Sequence, residues 1–503
     1  MRPSRTAALA AALLLPWTLA LAPLPTSAAA TKTVYDEPHR GQFHFSPAEN
    51  WMNDPNGLVY YDGEWHLFYQ YHPDGEVWGP MHWGHAVSTD LVHWRELPIA
   101  LAPDDKGHIF SGSAVVDANN TSGFFAPGTG GLVAAFTYHD PVTGRESQAI
   151  AYSSDRGRTW TKYEGNPVIP NNGAKDFRDP KVFWYEPQQK WVMIVAGGQV
   201  EFYSSKNLRE WTHESTLDGV FTECPDLFPI RVGDRTRWVL SHGGTHYTVG
   251  DFDGHRFTPS QPTRQVDFGR DFYAAQSWDG APDGRRYWLG WMSNWAYAEQ
   301  VPTAPPWRGQ MTEARTVNLI PDPARPGEFS LAQQPVPQLT EQLGGEPATI
   351  TDTPIPPKGN LLAGQRGTSY EIRAVVDVGN AQEVGFDVRT GSGARTRISY
   401  STARQELSLD RRESGDVDFS PEFPAVTAAP LPLPADRLLD LRILVDRSSV
   451  EVFAEDGTVV FTDQVFPRPH SDGMAVFATG GRAVVKSLTV TPLRSAWPRQ
   501  RGR

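Results

Sequence analysis

Cysteine is almost missing from this chain: Cys224 is the single one among 503 residues. A disulfide cannot close within the chain, so its fold must rest on an apolar core, which a chain of this length can build, and the length suggests two domains. The lone thiol reads as a small buried apolar group. Basic residues are in the minority, 46 against 58 acidic, for a net charge of -12. That sign repels phosphate backbones, which argues against nucleic acid partners, and it suits a neutral ligand such as a sugar. Long apolar runs are scarce as well. Ala7 to Leu15 is too short to span a bilayer and is broken by Pro16. With Arg2 and Arg5 before it and Ser27, Ala28, Ala29 and Ala30 after it, residues 1–30 have the form of a secretory signal. The expectation is a secreted, extracellular protein with no membrane contact after signal removal.

Long helical periodicity is the next absence. Short β-type runs take its place, among them Trp65 to Tyr71, Gly131 to Thr137, Trp191 to Ala196 and Trp238 to Ser241, separated by turn residues. This is the pattern of an all-β sandwich, barrel or propeller. An internal repeat narrows the choice. Ser88 to Trp94 is echoed by Ser154 to Trp160 and by Ser205 to Trp211, each with a serine six positions before a tryptophan. Units of this length holding several strands each point to propeller blades. The second copy, Ser153-Ser154-Asp155-Arg156-Gly157-Arg158-Thr159-Trp160, also fits the turn known as an Asp-box. That turn is read as structural, its tryptophan packing between strands.

The texture changes after about residue 320, where Pro321, Pro323, Pro326, Pro335 and Pro337 mark a connecting segment. Beyond it Tyr370, Ile372, Ala374, Val376 and Val378 alternate with polar residues, as do Leu441, Ile443 and Val445. Val450 to Ala454 and Thr458 to Thr462 flank Asp456-Gly457, a hairpin signal. The expected organisation is a signal over residues 1–30, a catalytic propeller over 31–335, a linker over 336–355, a β-sandwich over 356–495 and a tail over 496–503.

Three acidic residues stand apart from the solvated majority. Asp54 lies in Trp51-Met52-Asn53-Asp54-Pro55-Asn56-Gly57, where Asp-Pro and Asn-Gly signal a turn before the strand-like Leu58 to Tyr61. Asp179 lies in Asp176-Phe177-Arg178-Asp179-Pro180 and Glu223 in Phe221-Thr222-Glu223-Cys224-Pro225. Each has a plainer reading: a turn residue, an ion-pair partner for Arg178, a strand end satisfied by backbone donors. Their joint placement favours chemistry. They fall in separate blades, and blades converge on one axis. Glycoside hydrolysis needs two carboxyl groups across the scissile bond, one of them protonated near neutral pH, which an apolar setting favours. Glu223, between Phe221, Cys224 and Pro225, suits the acid; Asp54, among amides, suits the ionised partner.

Trp51, Trp65, Trp78, Trp83 and Trp94 crowd the first blade. Some must be core, while others could stack on a sugar ring in a concave site. His82 and His85 hint at a metal, but on a strand a spacing of three puts them on opposite faces, and no cysteine lies nearby; no metal and no cofactor are expected.

These motifs resemble glycoside hydrolase family 32, which contains invertases, inulinases and levanases. The resemblance covers nearly the whole chain after the signal. Supporting stretches are His66 to Tyr71, Trp78 to Asp90, Ile109 to Ser113 and Asp271 to Gln276. It implies a five-bladed β-propeller followed by a C-terminal β-sandwich. It implies Asp54 as nucleophile, Glu223 as general acid/base and Asp179 as transition-state stabiliser, with Asn53, Gln70, Trp78, Phe110, Ser111, Arg178 and Trp295 lining the fructose pocket. The mechanism implied is retaining, through a covalent fructosyl-enzyme intermediate. Met311-Thr312-Glu313-Ala314-Arg315 departs from the proline-containing segment usual in the family.

The stretch Trp78 to His85 looks most like bacterial levanases and exo-inulinases, so a fructan polysaccharide or fructo-oligosaccharide is the expected substrate. Preference between β-2,6 and β-2,1 links, exo or endo action, activity on sucrose, the sandwich's role and the oligomeric state stay open. Two other readings remain: a sialidase-like propeller, suggested by the Asp-box, and a carbohydrate-binding propeller without catalysis.

Overall fold

The computed structural model describes residues 35–171, 173–220 and 222–498. The signal expected over residues 1–30, Phe221 and positions 499–503 of the tail lie outside the described residues. Strands dominate; Gln338–Leu343 is the one α-helix among the described residues, and none is long and apolar enough to cross a membrane.

Five antiparallel sheets follow one another from Asn50 to Pro335, each of four main strands; two further sheets, of six and five strands, complete the chain. The first five are propeller blades. Trp307–Arg308 closes the ring by pairing in parallel with Asn50 and Trp51 of the first blade. The propeller's apolar core lies between blades rather than at the axis. Val59, Phe68 and Trp83 of blade one pack on Leu132 and Phe136 of blade two, and Phe183 and Ile194 of blade three pack on Leu227 and Leu240 of blade four. This leaves the axis free for polar groups.

The serine–tryptophan repeat joins the third and fourth strands of the first three blades. Ser88 Oγ accepts the amides of Asp90 and Leu91, while Asp90 Oδ1 accepts those of Val92 and His93. Asn207 plays the Asp90 part in blade three. In blade two the hydroxyl that caps the turn belongs to Ser153 rather than Ser154, because Gly157 lengthens the turn by one residue. Trp160 packs edge-on against Phe68 of the neighbouring blade. Blade four keeps the turn without its markers: Asp253 accepts the amides of His255 and Arg256, and Phe257 stands where tryptophan would.

The proline-rich stretch is not a connection. Arg315–Pro321 and Phe329–Pro335 pair as the outer hairpin of blade five, with prolines at strand ends where no ladder donor is needed. The linker expected over 336–355 is also structured. It holds the helix Gln338–Leu343 and the strand Ala348–Pro354, which pairs with Val484–Pro492 at the edge of the six-stranded sheet. An edge strand half-exposed on both faces lacks the alternation that marks a buried one. In the sandwich, Tyr370, Ile372, Ala374, Val376, Leu441, Ile443 and Val445 all point into one core. The Asp456-Gly457 hairpin forms, and it packs on blade five so closely that a Cβ on Gly457 would lie 1.7 Å from the Gln333 carbonyl oxygen.

Propeller and sandwich are joined by buried charge. Arg315 of blade five reaches Asp267, in the connection between blades four and five, and Glu451 of the sandwich, at 3.2 and 3.1 Å. Arg411 of the sandwich meets Asp271 at 2.5 Å and the Tyr297 hydroxyl at 2.8 Å. His44 Nδ1 lies 2.9 Å from Asp446. The segment Met311 to Arg315, which departs from the family pattern, supplies part of this joint.

Candidate active site

The segment around Asp54 is not a turn. Asn50–Tyr61 is a single inner strand broken in register between Met52 and Pro55 and again between Asn56 and Val59. Pro55 has no amide to donate, and Gly57 sits at φ +56, where a Cβ would strike the Phe68 ring at 2.5 Å. The bulge turns Asn53 and Asp54 toward the axis. Other blades repeat the device. The ladder shifts between Phe110 and Gly112, around Ser111; it shifts opposite Asp179, itself at φ +62; and it shifts between Tyr273 and Gln276. In blade four, Glu223 and Cys224 precede the strand Asp226–Val232, with Cys224 at φ +44.

These irregular strand starts build one cavity of about 630 Å³, and all ten residues singled out in the sequence line it: Asn53, Asp54, Gln70, Trp78, Phe110, Ser111, Arg178, Asp179, Glu223 and Trp295. The five tryptophans of blade one divide as their environments dictate. Trp51, Trp65 and Trp83 are buried and Trp94 is half-buried, while Trp78 is 41% exposed at the cavity mouth. Trp78 meets Phe110 edge-on at 6.1 Å, and Trp295, 44% exposed, leans on Trp291 at 4.8 Å and Trp51 at 6.0 Å. Trp51 in turn donates its indole N–H to Asn53 Oδ1 at 2.8 Å, fixing that amide.

Asp54 and Asp179 are buried and lie side by side. Ser111 Oγ donates to Asp54 Oδ2 at 2.7 Å and Asn53 Nδ2 to Oδ1 at 3.1 Å. Burial pushes the Asp54 carboxyl above its ordinary pKa; the Ser111 and Asn53 donors work against this, and the charge of Glu223 adds to it. Asp179 is pushed up to about 7, first by burial; Arg178 opposes the shift, while the charges of Asp54 and Glu223 add to it.

Cys224 is buried, as expected, but it is more than an apolar filler. Its thiol lies 3.4 Å from Asp54 Oδ2 and 3.5 Å from Asp179 Oδ2, and its amide donates to Asp179 at 2.9 Å. The same carboxylates hold the thiol's pKa well above its usual range, after burial itself. Glu223 departs from expectation in the opposite sense. Its surroundings are donors rather than apolar groups. Arg178 Nη2 donates to Oε1 at 2.5 Å and the Tyr273 hydroxyl to Oε2, with the side chain 38% exposed to the cavity.

Arg178 stands among four carboxylates. It donates to Glu146 at 3.1 Å and to Asp176 at 2.9 Å besides Glu223, and lies 3.9 Å from Asp179. Although burial acts against its charge, they hold its pKa above the ordinary value, Asp179 and Glu146 first among them. Such a guanidinium can fix a glutamate and still face a ligand's hydroxyls. His139 stacks on Phe110 at 4.2 Å and approaches Glu146 at 3.4 Å, completing that wall.

Cys224, Tyr273, Asp176, Glu146 and His139 were therefore missed as site residues. Asp176 and Cys224 belong to the motifs already quoted and Tyr273 to the stretch Asp271 to Gln276. Glu146 and His139 carried no signal in the sequence. The two histidines considered for a metal lie apart. His82 faces the Pro80 carbonyl at 2.9 Å, while His85 stacks on Phe68 at 4.0 Å and pairs with His66 at 3.0 Å. Among the described residues no group of three or more His, Cys, Asp or Glu is placed to hold a metal ion.

Known proteins share the two modules of this chain. Residues 44–335 match the N-terminal domain of glycosyl hydrolases family 32, and residues 340–492 match the C-terminal domain of the same family. A levanase of Bacillus subtilis (strain 168) is 49% identical over 96% of this chain and 74% of its own length. An extracellular exo-inulinase of Aspergillus awamori is 37% identical over 92% of this chain and 96% of its own. The crystal structure of exo-inulinase from that fungus superposes with a TM-score of 0.84 at 36% identity, covering 92% of this chain and 100% of the other. A β-fructofuranosidase of Schwanniomyces occidentalis complexed with fructosyl-erythritol gives 0.81 at 32%, covering 92% and 99%. With both modules matched and relatives aligned over nearly its whole length, the chain belongs to glycosyl hydrolase family 32 and is a glycosidase.

Proposed function

We propose that the chain is a secreted, retaining exo-acting β-fructosidase that releases fructose from the ends of levan and inulin chains, and from sucrose. The observation that carries this reading is the set of three carboxylates facing one cavity in unlike settings. Two are buried against each other beneath serine, amide and thiol donors; the third is open to the cavity and held by Arg178 and Tyr273.

In this reading the terminal fructosyl ring sits over Asp54 and Asp179. Trp78, Phe110 and Trp295 enclose its apolar edges, and Asp179 and Arg178 take its hydroxyls. Asp54 Oδ attacks the anomeric carbon while the carboxyl of Glu223 gives its proton to the departing oxygen, and the bond to the rest of the chain breaks. Glu223, now a carboxylate, takes a proton from water, whose oxygen displaces Asp54 and frees fructose with its configuration kept. Asp179, hydrogen-bonded through Cys224, stays in place to hold the ring hydroxyls as positive charge builds at the anomeric carbon. Support for the linkages comes from the relatives named levanase and exo-inulinase, and support for export from the extracellular exo-inulinases and from the basic and apolar start of the chain.

The test is product analysis on levan, inulin and sucrose. Fructose as the sole early product from both polymers is expected. A ladder of oligomers means endo cleavage, fructose dimers mean a biohydrolase, and no sugar released from any of the three overturns the fructosidase reading.

A further inference from the structure

A second groove opens beside the cavity, and the geometry points to it as a binding site for the inner units of a fructan whose end lies over Asp54; this inference rests on the function proposed above. The groove has a volume of about 430 Å³ and lies between blades two and three. Ala174 borders both the groove and the cavity. Phe177 and Arg178 are consecutive on the inner strand Phe177–Tyr185, so their side chains take opposite sides; Phe177 lines the groove and Arg178 the cavity. Ala174 stands on the wall between them. A chain that leaves the cavity across Ala174 enters the groove directly.

The lining suits a neutral sugar chain. Tyr203 and Trp211 present half-buried rings. Trp211 is the tryptophan of the third repeat, and its indole N–H is tied to the Leu208 carbonyl at 2.9 Å, which sets the ring's attitude. Beside them, on the same strand pair, the polar groups are already ordered. Glu201 Oε2 accepts from His213 Nε2 at 2.7 Å and from Thr216 Oγ1 at 2.7 Å. Aromatic walls with a few fixed polar groups match the C–H face and hydroxyls of a furanose, and the carboxylate disfavours an anionic ligand. The repeat that elsewhere serves only to hold strands together here furnishes a wall. Sucrose, seated in the cavity, would not extend this far, whereas a polymer would.

The experiment compares levan polymer with sucrose for wild type, Glu201→Gln and His213→Ala. The His213 side chain is 49% exposed, so its loss leaves the fold intact. Each variant is expected to lower kcat/KM for levan about fivefold relative to that for sucrose, through KM, as the loss of one or two hydrogen bonds predicts. Tyr203→Ala, with a larger contact removed, should do so further. An unchanged levan-to-sucrose ratio in all three variants overturns the groove. Wild type releasing no fructose from either substrate overturns the function on which the groove rests, and the groove with it.

Discussion

Replacing Asp179 by asparagine should make the protein more stable and less active, and the size of the first effect follows from the site. Its carboxyl is raised from 3.8 to about 7 by burial and by the neighbouring Asp54 and Glu223. A raised folded-state pKa means that between these two values the folded chain binds more protons than the unfolded one, so stability falls as pH rises through that window. At about 1.4 kcal/mol per unit, keeping this carboxylate ionised above pH 7 costs about 4 kcal/mol as an upper figure. Asparagine removes the charge and keeps an acceptor for the Cys224 amide, which now binds Asp179 at 2.9 Å. It also tolerates the left-handed backbone at φ +62 better than most residues. The gain should be about 2–4 kcal/mol at pH 8 and vanish near pH 4, where the folded wild-type carboxyl is protonated. Urea unfolding of both proteins at the two pH values reads it directly. In the same variant kcat should fall by about 10²–10³, the loss usual when one preorganised group facing the transition state is removed. If D179N is instead less stable than wild type at pH 8, Asp179 serves as an ion-pair anchor for Arg178, and the proposed role in catalysis goes with that result.

Other expectations follow from single contacts. Ser111→Ala removes the 2.7 Å donor to Asp54, so the carboxyl moves further up, and the acidic limb of the kcat/KM profile should shift to higher pH; an unmoved limb means that Asp54 does not set it. His44 is raised from 6.5 to about 10: burial opposes the shift, and the hydrogen bond to Asp446 together with the charge of Glu451, 3.8 Å away, outweighs it. Its contribution to the joint between modules is fully present below pH 6.5 and lost as pH climbs through 10, so thermal unfolding should weaken across that range. His44→Gln should abolish that slope and cost about 3–5 kcal/mol at pH 6 by taking the cation from Asp446, while Glu451 keeps Arg315. Gly457→Ala would press a methyl group against the Gln333 carbonyl at a residue with φ +80, and a loss of about 2 kcal/mol or more is expected by urea unfolding; a near-neutral change would mean that the hairpin can move off blade five.

The strands and blades were legible because each blade buries apolar residues against its neighbours, which leaves short continuous apolar runs such as Gly131 to Thr137, and because the turn after the third strand repeats its serine and tryptophan. Blade four shows the limit: its turn at Asp253 keeps the acid's two hydrogen bonds without the serine or the tryptophan. The strand Ala348–Pro354 escaped because an edge leaves little apolar pattern behind. At the site, the carboxylates stood out by the company of proline, glycine and aromatic residues, which is the local signature of a bulged strand as much as of a turn. That ambiguity is why Asp54 reads as a turn residue in sequence and is an inner-strand residue in the fold. The surroundings of Glu223 misled for a related reason. Neighbours in sequence alternate sides, so Cys224 faces Asp54 and Asp179, while the groups that meet Glu223 come from Arg178 and Tyr273 on other blades. Glu146 and His139 reach the site from an adjacent hairpin and left no trace in the motifs.

The most direct test of the central claim is to catch the covalent intermediate. In Glu223→Gln, an aryl β-fructofuranoside whose leaving group needs no proton can still react with Asp54, while the water that should release the sugar has lost its base. Acid quench, peptic digestion and mass spectrometry of this variant should find one fructosyl unit on the peptide carrying Asp54. A sugar attached elsewhere, or none bound while the variant turns the substrate over, would contradict the account.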